Sequence, residues 1–415
     1  MIPRHRLQSF VDRVEQGRAG GFYPFFRPVS RSCGSEVEVA GRRLVMAGSN
    51  DYLGLTHDPR VAAAAEAAAR TWGTGPGGSR FLSGNTTLHL QLEERLAAFL
   101  GKKRALIHTT GFMTNVGILH CLVAAKDVLL CDAESHASIV DGCLSSKGRL
   151  LTFEHNNASA AAARLAAAND RQPEATFLIT EGVFSMSGDV ADLPGLTGLK
   201  NANPDLVLYL DDAHGLGVMG RHGRGTADHF GVAAQVDFIM GTFSKALASI
   251  GGFIASDDTD ALVYAMHHSR PLIFSAGLPA PCAAAALAAL DVLEREPERI
   301  ARLHAVTRMA YEGYCRIGLR TRYSGSPILP ILVGPEYTAY HLSQELFERG
   351  IFALPAVFPA VPRGQAIIRT AFMSTHEDRH VQQVLEVLEA AAARHGIRRQ
   401  DAEPVEAGRL TLEHV

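Results

Sequence analysis

The chain has 415 residues, of which 47% are hydrophobic and 20% are charged, and its formal net charge is -3. This composition is typical of a globular protein, and the length suggests two or three domains, or one large domain with a smaller one. The charge gives no sign of a polyanionic partner, so we expect no binding to nucleic acid. The first residues, MIPRHRLQSF, lack the apolar core of a secretory signal, and no apolar run is long enough to span a bilayer. We therefore expect a cytoplasmic protein, with peripheral contact to the inner membrane left open.

The first quarter of the chain predicts helices around a glycine-rich loop. We expect residues 1–45 to form an N-terminal segment with a helix and a short hairpin. An alanine-rich helix is predicted over 61–72, the loop GTGPGGSRFLSGN over 73–85, and a second helix over 88–101.

Short apolar runs then alternate with helical segments as far as residue 245. The runs are RALIHTT, DVLLCDA, RLLTFEH, ATFLITEG, DLVLYLDDAHG and VDFIMGTFSK. Runs of this kind, each ending in polar residues, are typical of buried parallel strands joined by helical crossovers. Ligands of such sheets bind beyond the carboxyl ends of the strands. We therefore predict an α/β fold with a mainly parallel sheet and a functional site at that edge.

The pattern changes after residue 280, where the sequence predicts alanine-rich helices, two further strands and a final helix over 378–396. We therefore expect a large domain over 46–280, a smaller C-terminal α+β domain over 281–398 and a polar tail over 399–415. The six cysteines have no metal-ligand spacing, so we expect reduced thiols and no metal site.

Lysine is scarce, with six residues in the chain, and one of them has unusual neighbours. Lys245 follows the apolar run VDFIM and precedes the segment ASIGGF. A lysine that is desolvated at a strand end can form a Schiff base, and Thr242 beside it could reach a phosphate. The alternative is a surface lysine in a turn, which the apolar flanks argue against.

Two further residues follow the strand DLVLYL. Asp211 could hold a pyridinium nitrogen in its protonated form, and His214 could bond a ring hydroxyl. The alternative is that DDAH caps a helix. These residues alone leave both interpretations open.

Weaker signals come from other predicted strand ends, which carry hydroxyl, glycine and histidine residues. A strand-to-helix junction there could bind an anion, and a histidine could stack on a ring. Each has an ordinary structural alternative as a cap, a core histidine or a turn. The residues concerned are Thr110, Gly111, Phe112, His136 and Ser185.

Taken together, these segments resemble the α-oxoamine synthase family of pyridoxal 5'-phosphate (PLP) enzymes. The resemblance covers roughly residues 20–396 and rests on SNDYLGL, GTGPGGSRFLSGNTTLHLQLE, TEGVFSMSGD, LDDAHGLGVMGRHGRG and GTFSKALASIGG. It implies the fold type I architecture of aspartate-aminotransferase-like enzymes. The implied chemistry is a decarboxylative condensation of an amino acid with an acyl thioester, carried on coenzyme A or on a carrier protein.

The resemblance also implies a role for each candidate catalytic residue. Lys245 would form the Schiff base and move the α-proton, and Asp211 would pair with the pyridine nitrogen. His214 would contact the ring hydroxyl, and His136 would stack on the ring.

Other residues would hold cofactor or substrate. Arg369 would bind the amino acid carboxylate with its planar fork, assisted by Asn50, although a structural ion pair is the alternative for Arg369. Ser185 would support the ring hydroxyl. The remaining cofactor contacts, mainly to phosphate, would be Thr110, Gly111, Phe112 and Thr242.

The family is dimeric, with active sites shared between subunits, so we expect a homodimer. The segment RPLIFSAGLP (270–279) resembles the part that reaches the phosphate of the neighbouring subunit. Family members often carry two hydroxyl residues there. This chain has Ser275 but Gly277, which leaves one phosphate contact open.

Within the family, three segments favour the bacterial serine palmitoyltransferase branch, namely YPFFRPVS (23–30), RFLSG (80–84) and SRPLIFSAGLP. The apolar LPAVFPAVP (354–362) could shelter a long acyl chain, although a rigid connecting loop is the alternative. The reaction would then join L-serine and palmitoyl-CoA to give 3-ketodihydrosphinganine. Glycine C-acetyltransferase, 8-amino-7-oxononanoate synthase and a non-catalytic partner subunit remain alternatives. A hydrolase is disfavoured because no G-x-S-x-G motif occurs.

Overall fold

A computed structural model describes residues 2–169 and 172–397, so the predicted tail over 399–415 lies outside the described residues. The strands are β1 (Val29–Ser32), β2 (Glu36–Val39), β3 (Arg42–Met46), β4 (Arg104–His108), β5 (Val128–Asp132), β6 (Arg149–Phe153), β7 (Thr176–Glu181), β8 (Leu206–Asp211), β9 (Phe238–Thr242), β10 (Gly252–Ser256), β11 (Ile328–Gly334), β12 (Ile351–Phe352), β13 (Leu354–Ala356) and β14 (Ala366–Ala371). The helices are α1 (Gln8–Ala19), α2 (Pro59–Trp72), α3 (Thr87–Leu100), α4 (Gly111–Leu122), α5 (Ala137–Ser145), α6 (Ala158–Asn169), α7 (Leu193–Ala202), α8 (Thr226–His229), α9 (Thr259–His268), α10 (Arg270–Phe274), α11 (Ala280–Arg295), α12 (Glu298–Arg316), α13 (Glu336–Glu348) and α14 (Asp378–His395).

The central sheet has seven strands in the order β4-β10-β9-β8-β7-β5-β6. Neighbouring strands from β6 to β9 are parallel, as the alternating pattern predicts. β10 is antiparallel to both β9 and β4, and sequence analysis missed it. Because β4 and β9 therefore run in the same direction, the carboxyl end of β4 lies at the same edge as those of the parallel strands.

The central sheet is buried on both faces, which explains its nearly continuous apolar runs. Along β8, Leu208 and Leu210 belong to one apolar cluster. Tyr209 points to the other face and belongs to a second cluster. Helices cover both faces, so the polar residues at strand ends are held on a rigid layer.

The N-terminal and C-terminal parts of the chain pack together. β1, β2 and β3 form an antiparallel meander rather than the expected single hairpin, and β3 pairs in parallel with β12. Val45 and Ala47 consequently share an apolar core with C-terminal residues such as Ile331 and Ile368. A three-stranded sheet, β11-β14-β13, completes this region and carries Arg369 on β14.

None of the helices within the described residues is long and apolar enough to cross a membrane.

Candidate active site

The carboxyl ends of three neighbouring strands place candidate site residues at one edge of the sheet. β7 ends at Glu181, β8 at Asp211 and β9 at Thr242, and Glu181 lies directly opposite Asp211 in the sheet register. This is the edge at which parallel sheets bind their ligands.

The structure separates the two neighbouring aspartates of the DDAH motif. Asp211 Oδ2 accepts from Asn115 Nδ2 at 2.7 Å, and its Oδ1 accepts from the Ala213 amide at 3.0 Å. Asp212 instead accepts from the amide of Thr226 at 2.7 Å and from its hydroxyl at 2.8 Å. Burial raises the pKa of Asp212 to about 7. Asp212 therefore fixes the following loop, and Asp211 is the carboxylate available to a ligand.

His136 lies at the start of α5, where it caps the helix. Its Nδ1 is 2.8 Å from the Ser138 hydroxyl, and its backbone amide donates to Glu181 Oε1 at 2.6 Å. Burial lowers the pKa of the His136 imidazole and raises that of the Glu181 carboxyl well above its ordinary value. His136 therefore offers the site a neutral, flat ring.

Lys245 follows β9, and the carboxylates of Asp211 and Glu181 lie close enough to affect the pKa of its amine. Burial lowers the pKa of its amine to about 8, although the carboxylates of Asp211 and Glu181 oppose this shift. Within the described residues the amine forms no ion pair, whereas Lys102, Lys126 and Lys200 do. A lysine of this kind has a substantial neutral, nucleophilic fraction near physiological pH.

The start of α4 provides an anion-binding cradle. Thr110 caps the helix by accepting from the Met113 amide at 3.1 Å. The amides of Gly111 and Phe112 form no hydrogen bond among the described residues, as expected in a first helical turn. A methyl group added at Gly111 would lie 3.1 Å from the Thr242 hydroxyl, so β9 approaches this turn closely.

The same cradle fits the phosphate of PLP. Free amide donors at a helix N-terminus attract an anion, and hydroxyl groups complete such a site. The Thr242 hydroxyl donates to the Gly251 carbonyl at 2.8 Å, and it is also 2.8 Å from the hydroxyl of Ser244, which is exposed and adjacent to Lys245. Donors for a phosphate, a partly neutral lysine and a buried aspartate therefore occur together, as PLP requires.

Arg369 and His214 are linked through two intervening side chains. Arg369 Nη2 donates to Asn50 Oδ1 at 3.0 Å, and its Nε donates to the Ser185 carbonyl at 2.6 Å. The Tyr52 hydroxyl is 3.2 Å from Asn50 Oδ1 and 2.6 Å from His214 Nδ1. Burial raises the pKa of Tyr52 to about 12 and lowers that of His214 well below its ordinary value. Arg369 thus lies beside Asn50, as the resemblance implies, and it forms no ion pair within the described part of the chain.

Two predicted residues have limited contacts within the described residues. Ser185 contributes its carbonyl to Arg369, and its hydroxyl forms no hydrogen bond there. The hydroxyl of Ser275, which follows α10, likewise forms none. Gly277 donates to the Gly78 carbonyl at 3.0 Å, and a methyl group added to it would lie 3.0 Å from the Gly84 carbonyl. Gly277 therefore packs closely against the glycine-rich loop, where a side chain would approach the Gly84 carbonyl.

Sequence reasoning did not assign roles to three residues that the structure places in the site. Glu181 and Tyr52 occur only within the motifs TEGVFSMSGD and SNDYLGL, and Asn115 lies in no motif that indicates a function. Each is buried, and a buried polar residue beside a predicted strand end is the signal that could have found it.

Comparison with known proteins places this chain in a family. The family model described as aminotransferase class I and II matches residues 43–388. The chain belongs to this family. A serine palmitoyltransferase of Sphingobacterium spiritivorum is 39% identical over 91% of this chain and 94% of the relative. An 8-amino-7-oxononanoate synthase of Geobacter sulfurreducens is 40% identical over 94% of this chain and 98% of the relative.

Solved structures of serine palmitoyltransferases share this fold. A variant serine palmitoyltransferase from S. paucimobilis with a bound PLP–myriocin aldimine superposes with a TM-score of 0.90, at 30% identity, over 95% of this chain and 99% of that chain. The predicted family and fold type are confirmed by these comparisons.

Proposed function

We propose that the protein is a PLP-dependent acyltransferase that condenses L-serine with palmitoyl-CoA, giving 3-ketodihydrosphinganine, coenzyme A and carbon dioxide. The proposal is carried by the convergence of the Lys245 amine, the Asp211 carboxylate and the Arg369 guanidinium at one edge of the sheet. It is supported by relatives named serine palmitoyltransferase that match nearly the whole chain.

PLP would be held by groups of known position. The first turn of α4 and the Thr242 hydroxyl would bind its phosphate, Asp211 would pair with its ring nitrogen, and His136 and His214 would contact the ring. When bound, PLP supplies an electron sink for negative charge on the substrate α-carbon.

The chain's own residues orient the substrate and move its proton. Arg369 binds the serine carboxylate through its planar fork, and its contacts to Ser185 and Asn50 fix the direction of that fork. Lys245 removes the proton from the substrate α-carbon. Burial lowers the pKa of this amine, which favours the neutral form that a general base needs.

We also propose that the protein works as a homodimer in the cytoplasm. Large apolar side chains are exposed beside the site, including Leu82 at 80% and Phe274 at 74%. The Thr109 hydroxyl donates to the Ala276 carbonyl at 2.7 Å, which ties the segment after α10 to the start of α4. An apolar surface that adjoins a catalytic cradle is suited to a second subunit.

Thiol release from acyl thioesters tests the proposed substrates. PLP-loaded protein would be offered palmitoyl-, acetyl- and pimeloyl-CoA, each with L-serine, glycine or L-alanine. We expect turnover with palmitoyl-CoA and L-serine, and mass spectrometry should identify 3-ketodihydrosphinganine. No release from palmitoyl-CoA with any amino acid would reject the assignment.

The second candidate is an 8-amino-7-oxononanoate synthase, because a relative of that name is 40% identical over 94% of this chain. It predicts turnover with pimeloyl-CoA and L-alanine. The same panel therefore separates the two candidates.

A further inference from the structure

We propose that Asn115 is a positioning residue that both holds the Asp211 carboxylate and sets the tautomer of the His136 ring. The inference rests on the proposed function, because both groups act there on bound PLP. The buried side-chain amide of Asn115 would then orient both the Asp211 carboxylate and the His136 ring for the cofactor.

Asn115 lies in the first turns of α4 and is fully buried. Its Nδ2 donates to Asp211 Oδ2 at 2.7 Å and to Ser138 Oγ at 2.9 Å, and its Oδ1 accepts from the Tyr209 hydroxyl at 2.7 Å. An ionised carboxylate only accepts hydrogen bonds, so the nitrogen of the amide must face Asp211. Tyr209 holds the oxygen end, and the amide therefore has one orientation.

The orientation of the Asn115 amide determines how Ser138 bonds to His136. Because the Ser138 hydroxyl accepts from Asn115, its own hydrogen is free for Nδ1 of His136, which is 2.8 Å away. The Ser138 amide also donates to Nδ1, at 3.2 Å. With two donors at Nδ1, the proton of the neutral ring lies on Nε2. The direction of donation thus runs from Tyr209 through Asn115 and Ser138 to His136.

The network has two separable effects. The Asn115 amide and the Ala213 amide each hold one oxygen of Asp211, so the carboxylate cannot rotate freely. The Ser138 arm opposes addition of a proton to Nδ1, and burial of His136 acts in the same direction by lowering its pKa. Loss of Asn115 should disturb both effects, whereas loss of the Ser138 hydroxyl should disturb the second alone.

Two substitutions test this division. Asn115→Leu keeps a similar volume but has no donor, and we expect the PLP dissociation constant to rise about 10- to 100-fold, since a bond to a charged group is lost. The pH at which the visible band of the remaining bound PLP titrates should also shift, which a general loosening of the fold would not cause.

Ser138→Ala leaves the contact between Asn115 and Asp211 intact, so the PLP dissociation constant should change less than about threefold. Its neutral His136 loses a donor, so the imidazole pKa should rise. The acidic limb of the kcat/KM profile should consequently move to higher pH.

A folding defect in Asn115→Leu would come from the unpaired hydroxyl of Tyr209. The double variant Asn115→Leu with Tyr209→Phe removes that hydroxyl and should fold while keeping the weak PLP binding. Wild-type PLP affinity and pH dependence in a folded variant without Asn115 would overturn the inference and leave the proposed function intact. Wild-type protein that fails to bind PLP would reject both.

Discussion

Lys245 differs from the other described lysines in what surrounds its amine. Lys102 and Lys200 are held by ion pairs with aspartates, at 3.0 Å and 2.7 Å. Lys245 is desolvated, and the nearby Arg369 also favours its neutral form. Burial thus favours the neutral, reactive form of this amine, and the neighbouring carboxylates stabilise its protonated form.

The depressed pKa predicts how PLP capture depends on pH. Only the neutral amine attacks the aldehyde of PLP, so the rate at which PLP-free protein binds PLP should rise with pH and level off above about 8. Stopped-flow absorbance after mixing with PLP measures this rate. A rate that keeps rising toward pH 10 would show that Lys245 has the pKa of an exposed lysine.

Arg369 should act mainly on amino acid binding. Arg369→Lys removes the planar fork and the paired contacts to Asn50 and Ser185, so kcat/KM for serine should fall about 100-fold, chiefly through KM. Steady-state kinetics with varied serine measure the effect. Arg349→Lys is the control, because this arginine pairs with Glu345 on an exposed surface and should behave as wild type.

At the scale of elements, the junction between β10 and α4 positions the phosphate cradle. A methyl group added to Gly252 would lie 2.6 Å from Gly111 Cα and 2.6 Å from the Thr114 hydroxyl. The absence of a side chain at Gly252 therefore lets the sheet approach the first turn of the helix.

Gly252→Ala should displace that turn, weaken PLP binding and lower the free energy of unfolding by about 1–3 kcal/mol. Gly198→Ala is the matched control in α7, because nothing lies within 4 Å of its added methyl group, and it should be neutral or slightly stabilising. Urea unfolding and PLP titration compare the two. Equal behaviour of both variants would contradict the account of this junction.

The elements differ in how well their sequence predicts them. Apolar runs such as VLLCD and LVLYLD predict buried strands, and the polar residues after them predict the ligand edge. β10 was missed because its apolar run, FIA, is only three residues long and follows a pair of glycines, although the strand is as long as β4, β5 and β9. The contacts of Asn115 and Tyr52 depend on residues far away in the chain, 96 positions in one case and 162 in the other, and local patterns carry no such information. The roles assigned to individual site residues stay predictions.

At the scale of the whole molecule, the exposed apolar residues beside the site predict association. The ring of Phe81 makes an edge contact with His267 at 5.9 Å, and the neighbouring Leu82 projects outward.

The predicted domain limits at 45, 280 and 398 stay proposals. The parallel pairing of β3 with β12 shows that the N-terminal segment packs with the C-terminal region.

Light scattering after size exclusion should give twice the chain mass of 44.5 kDa. The double variant Leu82→Asp with Phe274→Asp places charges on that surface and should shift the protein toward the monomer, with loss of turnover. Leu144→Asp is the control, because it changes an exposed leucine on a different element, α5, and it should leave the mass unchanged. A monomeric wild-type protein with full activity would reject the proposed homodimer.

In the proposed mechanism Lys245 carries the cofactor, and reduction of the bound PLP identifies the lysine to which it is attached. PLP-loaded protein would be reduced with borohydride, digested and mapped by mass spectrometry. We expect a stable pyridoxyl adduct on Lys245 and on none of the other five lysines, and no adduct at all in Lys245→Ala. An adduct on a different lysine, or a protein that takes up no PLP, would contradict the proposed mechanism.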